Sequence, residues 1–96
     1  MTEGWHESSR FLTVDGEALH IVDQGQGDVP IILIHGFLMS SYMWRFNLRE
    51  LSKGHRVIIP CLPGCGWSAV GSGPYDIASQ GRRMVEMMDA LKIDRA

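Results

Sequence analysis

The sequence is poor in the features that mark secreted, membrane and nucleic-acid-binding proteins. It has only two cysteines, Cys61 and Cys65, too few and too close together for a disulfide framework. A net charge of -2 gives no field that favours nucleic acid or an anionic membrane. No apolar run approaches the roughly 20 residues of a bilayer span. The first residues also lack a basic segment followed by an apolar one, so no signal peptide is predicted. We expect a cytoplasmic protein without nucleic-acid or membrane partners.

What remains is an ordinary globular composition in a short chain. Of the 96 residues, 45% are hydrophobic and 21% are charged, which argues against a disordered chain. A domain of this size buries only about 60–65% of the surface that its unfolded chain exposes, so its stability should be marginal. No linker or internal repeat divides the sequence. We therefore predict one domain, residues 1–96.

A short apolar stretch that ends in a histidine and a glycine is the centre of the sequence. Pro30 to Ile34 leads directly into His35-Gly36-Phe37, and an apolar run this short favours a strand buried on both faces. In open α/β sheets, ligands and catalytic groups gather where strands pass into loops. His35, Gly36 and Phe37 are therefore candidate site residues. The alternative is that His35 is a hydrogen-bonded structural residue in a plain turn.

Turn signals and apolar periodicity predict the other elements. Asp15-Gly16 lies between two strand-like runs and is a strong hairpin signal. The predicted elements are hairpin strands near 10–14 and 17–24, parallel strands near 30–35 and 56–61, and helices near 41–53 and 77–91. This order predicts an α/β fold, with an antiparallel hairpin plus two parallel strands and two main helices.

Both predicted helices have a cap and an expected inward face. Ser40 or Ser41 is the candidate cap of the first helix and Gly54 its end, while Asp76 is the candidate cap of the second. The expected inward residues of the first helix are Trp44, Leu48 and Leu51, at the spacing of one helix face. Those of the second are Ile77, Met84, Met88 and Leu91, and its expected polar residues are Arg82, Arg83, Glu86 and Asp89.

An ordered set of short motifs adds a family resemblance. The motifs are Val14-Asp-Gly16, Leu19-His-Ile-Val-Asp-Gln-Gly25, Leu33-Ile-His-Gly-Phe37, Ser41-Tyr-Met-Trp44, His55-Arg-Val-Ile-Ile-Pro60, Gly64-Cys-Gly-Trp-Ser68 and Ala90-Leu-Lys-Ile-Asp94. Together they resemble the α/β-hydrolase superfamily, in its epoxide-hydrolase, haloalkane-dehalogenase and esterase-like branch. The resemblance covers the family's amino-terminal part. The 96 residues contain no G-x-S-x-G nucleophile elbow, and the acid and histidine that follow it in family order are also absent.

The resemblance implies a role for the turn after the central strand. In the family the backbone N–H that follows His-Gly is one half of the oxyanion hole, which places this role on Phe37, with His35 and Gly36 shaping the turn. Related dehalogenases often carry Asn at this position to hold halide. Phe37 therefore implies an ester or epoxide type of hydrolase, with a small apolar ester or epoxide-like ligand. Cys61 stands where the family's D-x-x-G-x-G-x-S pattern begins with aspartate.

Two functional hypotheses follow. In the first, the chain is the amino-terminal part of a hydrolase whose remaining half lies outside these residues, or it has a weak ester hydrolysis of its own. The weak activity would come from a Cys61/His35 pair at the ends of neighbouring strands, provided that thiol and imidazole approach to about 3 Å. The alternative for Cys61 is a small buried hydrophobe. In the second hypothesis the chain is a non-catalytic, self-associating binding or structural module. We predict no cofactor and no metal, because Cys61, Cys65, His35 and His55 lack the paired spacing of a zinc site.

The second hypothesis includes a specific self-association. By resemblance to the family, the strand Ile31 to His35 lies at an edge of the sheet formed by these residues. This edge is apolar and lacks the charges with which natural edge strands avoid pairing. We therefore predict a homodimer in which this strand pairs antiparallel with the same strand of a second copy.

Overall fold

A mixed sheet of four strands organises the computed structural model, which describes residues 8–36, 40–62 and 76–96. The strands are β1 (Ser9–Val14), β2 (Glu17–Gln24), β3 (Ile31–Ile32) and β4 (Val57–Pro60). The helices are the 3₁₀ turn η1 (Ser41–Trp44), the short helix α1 (Leu48–Leu51) and the longer helix α2 (Ile77–Ala90). The strand order is β1-β2-β4-β3, with β3 and β4 parallel and the other pairs antiparallel. This confirms the predicted α/β class.

The β1–β2 hairpin follows directly from its turn residues. Val14 pairs with Glu17, so Asp15 and Gly16 are the two central residues of the turn. Their φ angles are 54° and 76°, respectively. A two-residue turn with positive φ at both positions matches the right-handed twist of the flanking strands, and Asp-Gly tolerates that backbone well. The predicted hairpin is therefore confirmed.

The sheet is covered on both faces by apolar side chains. One cluster lies between the sheet and α2, and its buried members are Val14, Leu19, Ile21, Ile58, Met84, Met87 and Ile93. The other lies on the opposite face, with Val22, Leu48, Val57 and Ile59 buried and Leu33, Trp44 and Leu51 packed against them. β4 contributes alternate residues to the two clusters, as a strand buried on both faces does. The predicted inward face of the first helix is confirmed.

The segment 41–53 differs from the prediction of one continuous helix. It forms η1, a turn, and a single turn of α-helix that ends at Leu51, before Gly54. Ser40 has extended backbone and its hydroxyl accepts a hydrogen bond from the N–H of Tyr42, so it is the cap. Asn47 precedes α1 without a side-chain cap. The inward face was predicted correctly because apolar spacing reports the buried side, whereas helix continuity depends on packing that periodicity does not encode.

Helix α2 begins as predicted, but two of its residues face the other way. Asp76 is its cap, accepting a hydrogen bond from Ser79 N–H at 3.1 Å. Ile77 was predicted to face inward, and this is wrong because its side chain is 92% exposed. Arg83 was predicted on the polar side, yet it is only 7% exposed. Its Nη1 donates to Gln80 Oε1 at 3.1 Å and its Nε lies 3.8 Å from Asp15 Oδ2, at the hairpin turn.

An ion-pair cluster joins three strand segments at one end of the sheet. Arg56 donates two hydrogen bonds to the Asp23 carboxylate, at 2.9 and 2.7 Å, and Arg10 donates a third at 2.9 Å. The hydrogen bond from Arg56 is the main reason that the pKa of Asp23 lies below its ordinary value, with Arg10 adding to it and burial opposing it. The cluster therefore links β1 and β2 to the residue before β4.

A close backbone approach explains one glycine of the loop after β2. Gly25 has φ of 89°, and a Cβ added there would clash with the backbone carbonyl of His55. Glycine is therefore required at this position. Within the described parts of the chain, no helix has the length and apolar character of a membrane span.

Candidate functional site

His35 connects the carboxyl ends of the two parallel strands. Its Nε2 accepts a hydrogen bond from the backbone N–H of Leu62 at 2.9 Å. Its Nδ1 lies 2.9 Å from the carbonyl oxygen of Gly36. Since Nε2 is the acceptor, Nδ1 carries the proton and donates to Gly36. The residue is 4% exposed, so the imidazole is a buried bridge between the turn after β3 and the residues after β4.

This bridge arises from the sheet register. Ile31 pairs with Val57 and Ile32 with Ile58, and the ladder continues through a 3.0 Å hydrogen bond from Leu33 N–H to Ile58 O. The two strands therefore end side by side, as the sequence predicted. The regular strand β3 is shorter than the predicted 30–35, because pairing with β4 beyond Leu33 gives way to the side-chain contact of His35.

Gly36 gives the turn an open surface. It is exposed, and a Cβ added at this position would meet no heavy atom of the described residues within 4 Å. Among the described glycines, positive φ occurs at Gly16 and Gly25, so the backbone of Gly36 does not itself demand glycine. What glycine provides at this position is the absence of a side chain beside a buried histidine. That allows another molecule to approach the backbone closely.

Cys61 lies one residue before the partner of His35 and is fully buried. Its side chain has 0% exposure, and its N–H donates to the carbonyl oxygen of His20 at 2.8 Å. Both ring nitrogens of His35 are already engaged by the backbone groups of Leu62 and Gly36. His35 is therefore a hydrogen-bonded turn residue, and Cys61 is a fully buried one.

Of the other positions predicted from the sequence, some lie within the described residues and others lie outside them. Phe37, which carries the expected oxyanion N–H, lies outside them, as does Cys65. His55 is exposed, at the end of the sheet where it approaches Gly25. In the parts of the chain that the structure describes, no group of three or more His, Cys, Asp or Glu side chains is arranged to hold a metal ion.

The contribution of Leu62 was not predicted from the sequence. It acts through its backbone N–H, a group that every residue except proline carries, so no side-chain signal distinguishes it. The only available signal was the expectation that the two strand ends are neighbours. A histidine at the end of one strand and a free N–H after the other then form a natural pair.

The strand order β1-β2-β4-β3 and the His35-Gly36 turn at the carboxyl ends of the parallel strands indicate which class of protein this is. The family model for the alpha/beta hydrolase fold matches residues 29–96. An epoxide hydrolase of Caballeronia sordidicola is 32% identical over 88 residues, covering 88% of this chain and 26% of the relative. A haloalkane dehalogenase of Agrobacterium fabrum is 35% identical over 78 residues, covering 81% of this chain and 25% of the relative.

Solved structures agree with these sequence matches. A meta-cleavage product hydrolase from Pseudomonas fluorescens superposes with a TM-score of 0.86 at 34% identity, covering 95% of this chain and 35% of that chain. The chain belongs to the alpha/beta hydrolase fold family. It spans about a quarter to a third of the length of the relatives described here.

Proposed function

We propose that this chain forms the oxyanion-hole side of a hydrolase site for small apolar esters or epoxides. In this proposal the backbone N–H of Phe37 is the donor that stabilises developing negative charge on a substrate oxygen. His35 is a positioning residue, because its hydrogen bonds hold Gly36, the residue before Phe37, against the end of the neighbouring strand. Gly36 leaves the space through which the substrate oxygen reaches the backbone.

The observation that carries this proposal is the buried double hydrogen bond of His35. A preorganised donor stabilises a transition state well only if its position is fixed before the reaction. The two 2.9 Å contacts, to Leu62 N–H and Gly36 O, tie the turn to the neighbouring strand. The relatives named epoxide hydrolase and meta-cleavage product hydrolase support a hydrolytic role of the whole fold.

The nucleophile is the part of the mechanism that these 96 residues do not supply. They contain no G-x-S-x-G sequence. The remaining candidate, the Cys61/His35 pair, has a buried thiol and an imidazole whose nitrogens bind backbone groups. We therefore infer that the chain alone hydrolyses activated esters far more slowly than the typical enzyme kcat of about 10 per second. A purified chain that reached such a rate would contradict this inference.

A chimera tests the oxyanion role directly. In the Caballeronia epoxide hydrolase, the matching amino-terminal segment is replaced by this chain, and epoxide hydrolysis is measured. Substitution His35→Ala should lower kcat with little change in KM, within the roughly 10²–10³-fold loss that follows removal of an oxyanion donor. The control is His55→Ala, because His55 is an exposed histidine at the other end of the sheet. Equal kcat values for the two variants would reject the role of His35.

A second candidate function is self-association, and the observation that favours it is the edge position of β3. In the described sheet β3 has β4 as its neighbour on one side. Ile31 and Leu33 direct their N–H groups to β4, so the N–H of Ile32 between them faces away from it. The side chain of Ile34 is 48% exposed. We propose that the same strand of a second copy pairs antiparallel here.

Light scattering at micromolar concentration tests this pairing. The unmodified chain should be a dimer, and Ile34→Lys should be a monomer because it places a charge on the edge. The matched control is Val85→Lys, which introduces the same charge at an exposed apolar residue of α2 and should leave the dimer intact. A monomeric unmodified chain would reject the dimer without affecting the oxyanion proposal. The cytoplasmic location stays a prediction from the sequence.

A further inference from the structure

Two buried polar groups on η1 have no hydrogen-bond partner within the described residues. Ser41 is 0% exposed, and its Oγ has no partner there. The indole Nε1 of Trp44 is likewise buried without a partner. The large majority of buried polar side-chain atoms in proteins are hydrogen-bonded, and an exception requires an explanation such as an ordered water.

The helix type brings these two groups to the same side. A 3₁₀ helix has three residues per turn, so side chains at positions i and i+3 lie directly above one another. Ser41 and Trp44 are the first and last residues of η1 and have this spacing. Trp44 packs against the apolar cluster of Val22, Leu48, Val57 and Ile59, whereas Tyr42 on the other side of η1 is exposed. Both polar groups therefore face the sheet.

The chemistry of the pair determines what it can bind. The Trp44 indole N–H is a donor only, whereas the Ser41 hydroxyl can donate once and accept. The side chains of the surrounding cluster are aliphatic and offer no acceptor. The two groups therefore require a small molecule that accepts a hydrogen bond from the Trp44 indole N–H. The same molecule must accept a hydrogen bond from the Ser41 hydroxyl or donate one to it. A single water molecule meets this requirement, since buried waters typically bind two to four otherwise unpaired polar groups.

We propose that Ser41 Oγ and Trp44 Nε1 bind one buried structural water between η1 and the sheet. This water fastens the segment that follows the His35–Gly36 turn to the apolar face of β4, independently of the His35 bridge. The site does not depend on catalysis, so it holds whether or not the proposed hydrolase function is correct.

Nuclear magnetic resonance of the 96-residue chain labelled with ¹⁵N-tryptophan tests the proposal. The indole signal of Trp44 is assigned by its loss in Trp44→Phe. It should show a nuclear Overhauser effect to water with the sign of a long-lived bound molecule, and its hydrogen exchange should be slow. Absence of this water signal, or a hydrogen-bond coupling from the indole N–H to a protein carbonyl, would overturn the proposal.

A pair of serine variants provides the second arm. Ser41→Ala removes one of the two water ligands, so it should abolish the water signal and speed indole exchange by about tenfold or more. Ser40→Ala is the matched control, because it removes the cap hydroxyl of the same helix without touching the pair, and it should keep the water signal. A water signal that persists unchanged in Ser41→Ala would refute the site. If Ser41→Ala fails to fold, the signal of the unmodified chain decides alone.

Discussion

The imidazole of His35 and the backbone N–H of Leu62 form a 2.9 Å hydrogen bond that joins the ends of the two parallel strands. His35 follows β3 and Leu62 follows β4, so one side chain fixes the separation of two loops. The same ring donates to Gly36 O and thereby fixes its own tautomer. The candidate oxyanion turn is therefore supported from the neighbouring strand and not only by its own backbone.

Removing this imidazole should destabilise the fold. His35→Ala leaves the N–H of Leu62 without its acceptor, and we expect a loss of about 1–3 kcal/mol in the free energy of unfolding. His35→Gln should recover part of it, because its amide oxygen can reach the position of Nε2. Urea denaturation measures the free energy, and hydrogen exchange of the Leu62 amide reports the contact. Unchanged protection of that amide in His35→Ala would show that the bond contributes nothing.

The Asp23 cluster should make stability depend on pH in the acid range. Its hydrogen bonds to Arg56, and then those to Arg10, hold the pKa of Asp23 below its ordinary value. The native state therefore binds this proton less readily than the unfolded chain. The resulting stabilisation is complete above the unfolded pKa and is lost as the pH falls through the native one, that is, below about pH 4.

Substitution Asp23→Asn tests this dependence. It should cost about 2 kcal/mol at neutral pH, since two arginines lose a charged partner, and it should flatten the acid limb of the stability curve. Glu50→Gln is the control, because Glu50 pairs with Lys53 on the surface, where ion pairs contribute little. Thermal unfolding between pH 3 and pH 7 measures both. An acid limb that is equally steep in Asp23→Asn would assign the pH dependence to other groups.

Gly25 and Gly36 should differ in their sensitivity to alanine. Gly25→Ala combines a positive φ with a clash against the His55 carbonyl, so it should lower the free energy of unfolding by more than about 1 kcal/mol. Gly36→Ala adds a methyl group that meets no atom of the described residues, at a position without a positive φ, so it should leave stability nearly unchanged. Denaturant titration measures the free energy of unfolding of both variants. A large loss at Gly36 would mean that the turn is more crowded than the structure indicates.

The thiol of Cys61 should be protected in the native protein. Its side chain is fully buried, so a Cys65→Ser variant, in which Cys61 is the only cysteine, should react with iodoacetamide slowly under native conditions and rapidly in denaturant. Any residual ester hydrolysis should then survive prolonged exposure of the native protein to the reagent. Rapid native alkylation that removes the hydrolysis would instead favour the Cys61/His35 pair.

Local sequence determined those parts of the fold whose geometry is local. Asp15-Gly16 specifies a two-residue turn through backbone preference, and Asp76 specifies a helix start by offering an acceptor to Ser79 N–H. The apolar spacing of Trp44, Leu48 and Leu51 was enough to identify a buried face. The ordered motifs were enough to identify the family, which the match over residues 29–96 confirms.

Tertiary structure decided the partners of side chains that are distant in sequence. Arg83 is buried where α2 approaches the hairpin turn at Asp15, whereas Ile77, the first residue of α2, is exposed. The state of His35 depends in the same way on Leu62, 27 positions further along the chain. Periodicity reports which residues of an element are apolar, but only the packed sheet brings a particular donor within reach of a particular acceptor.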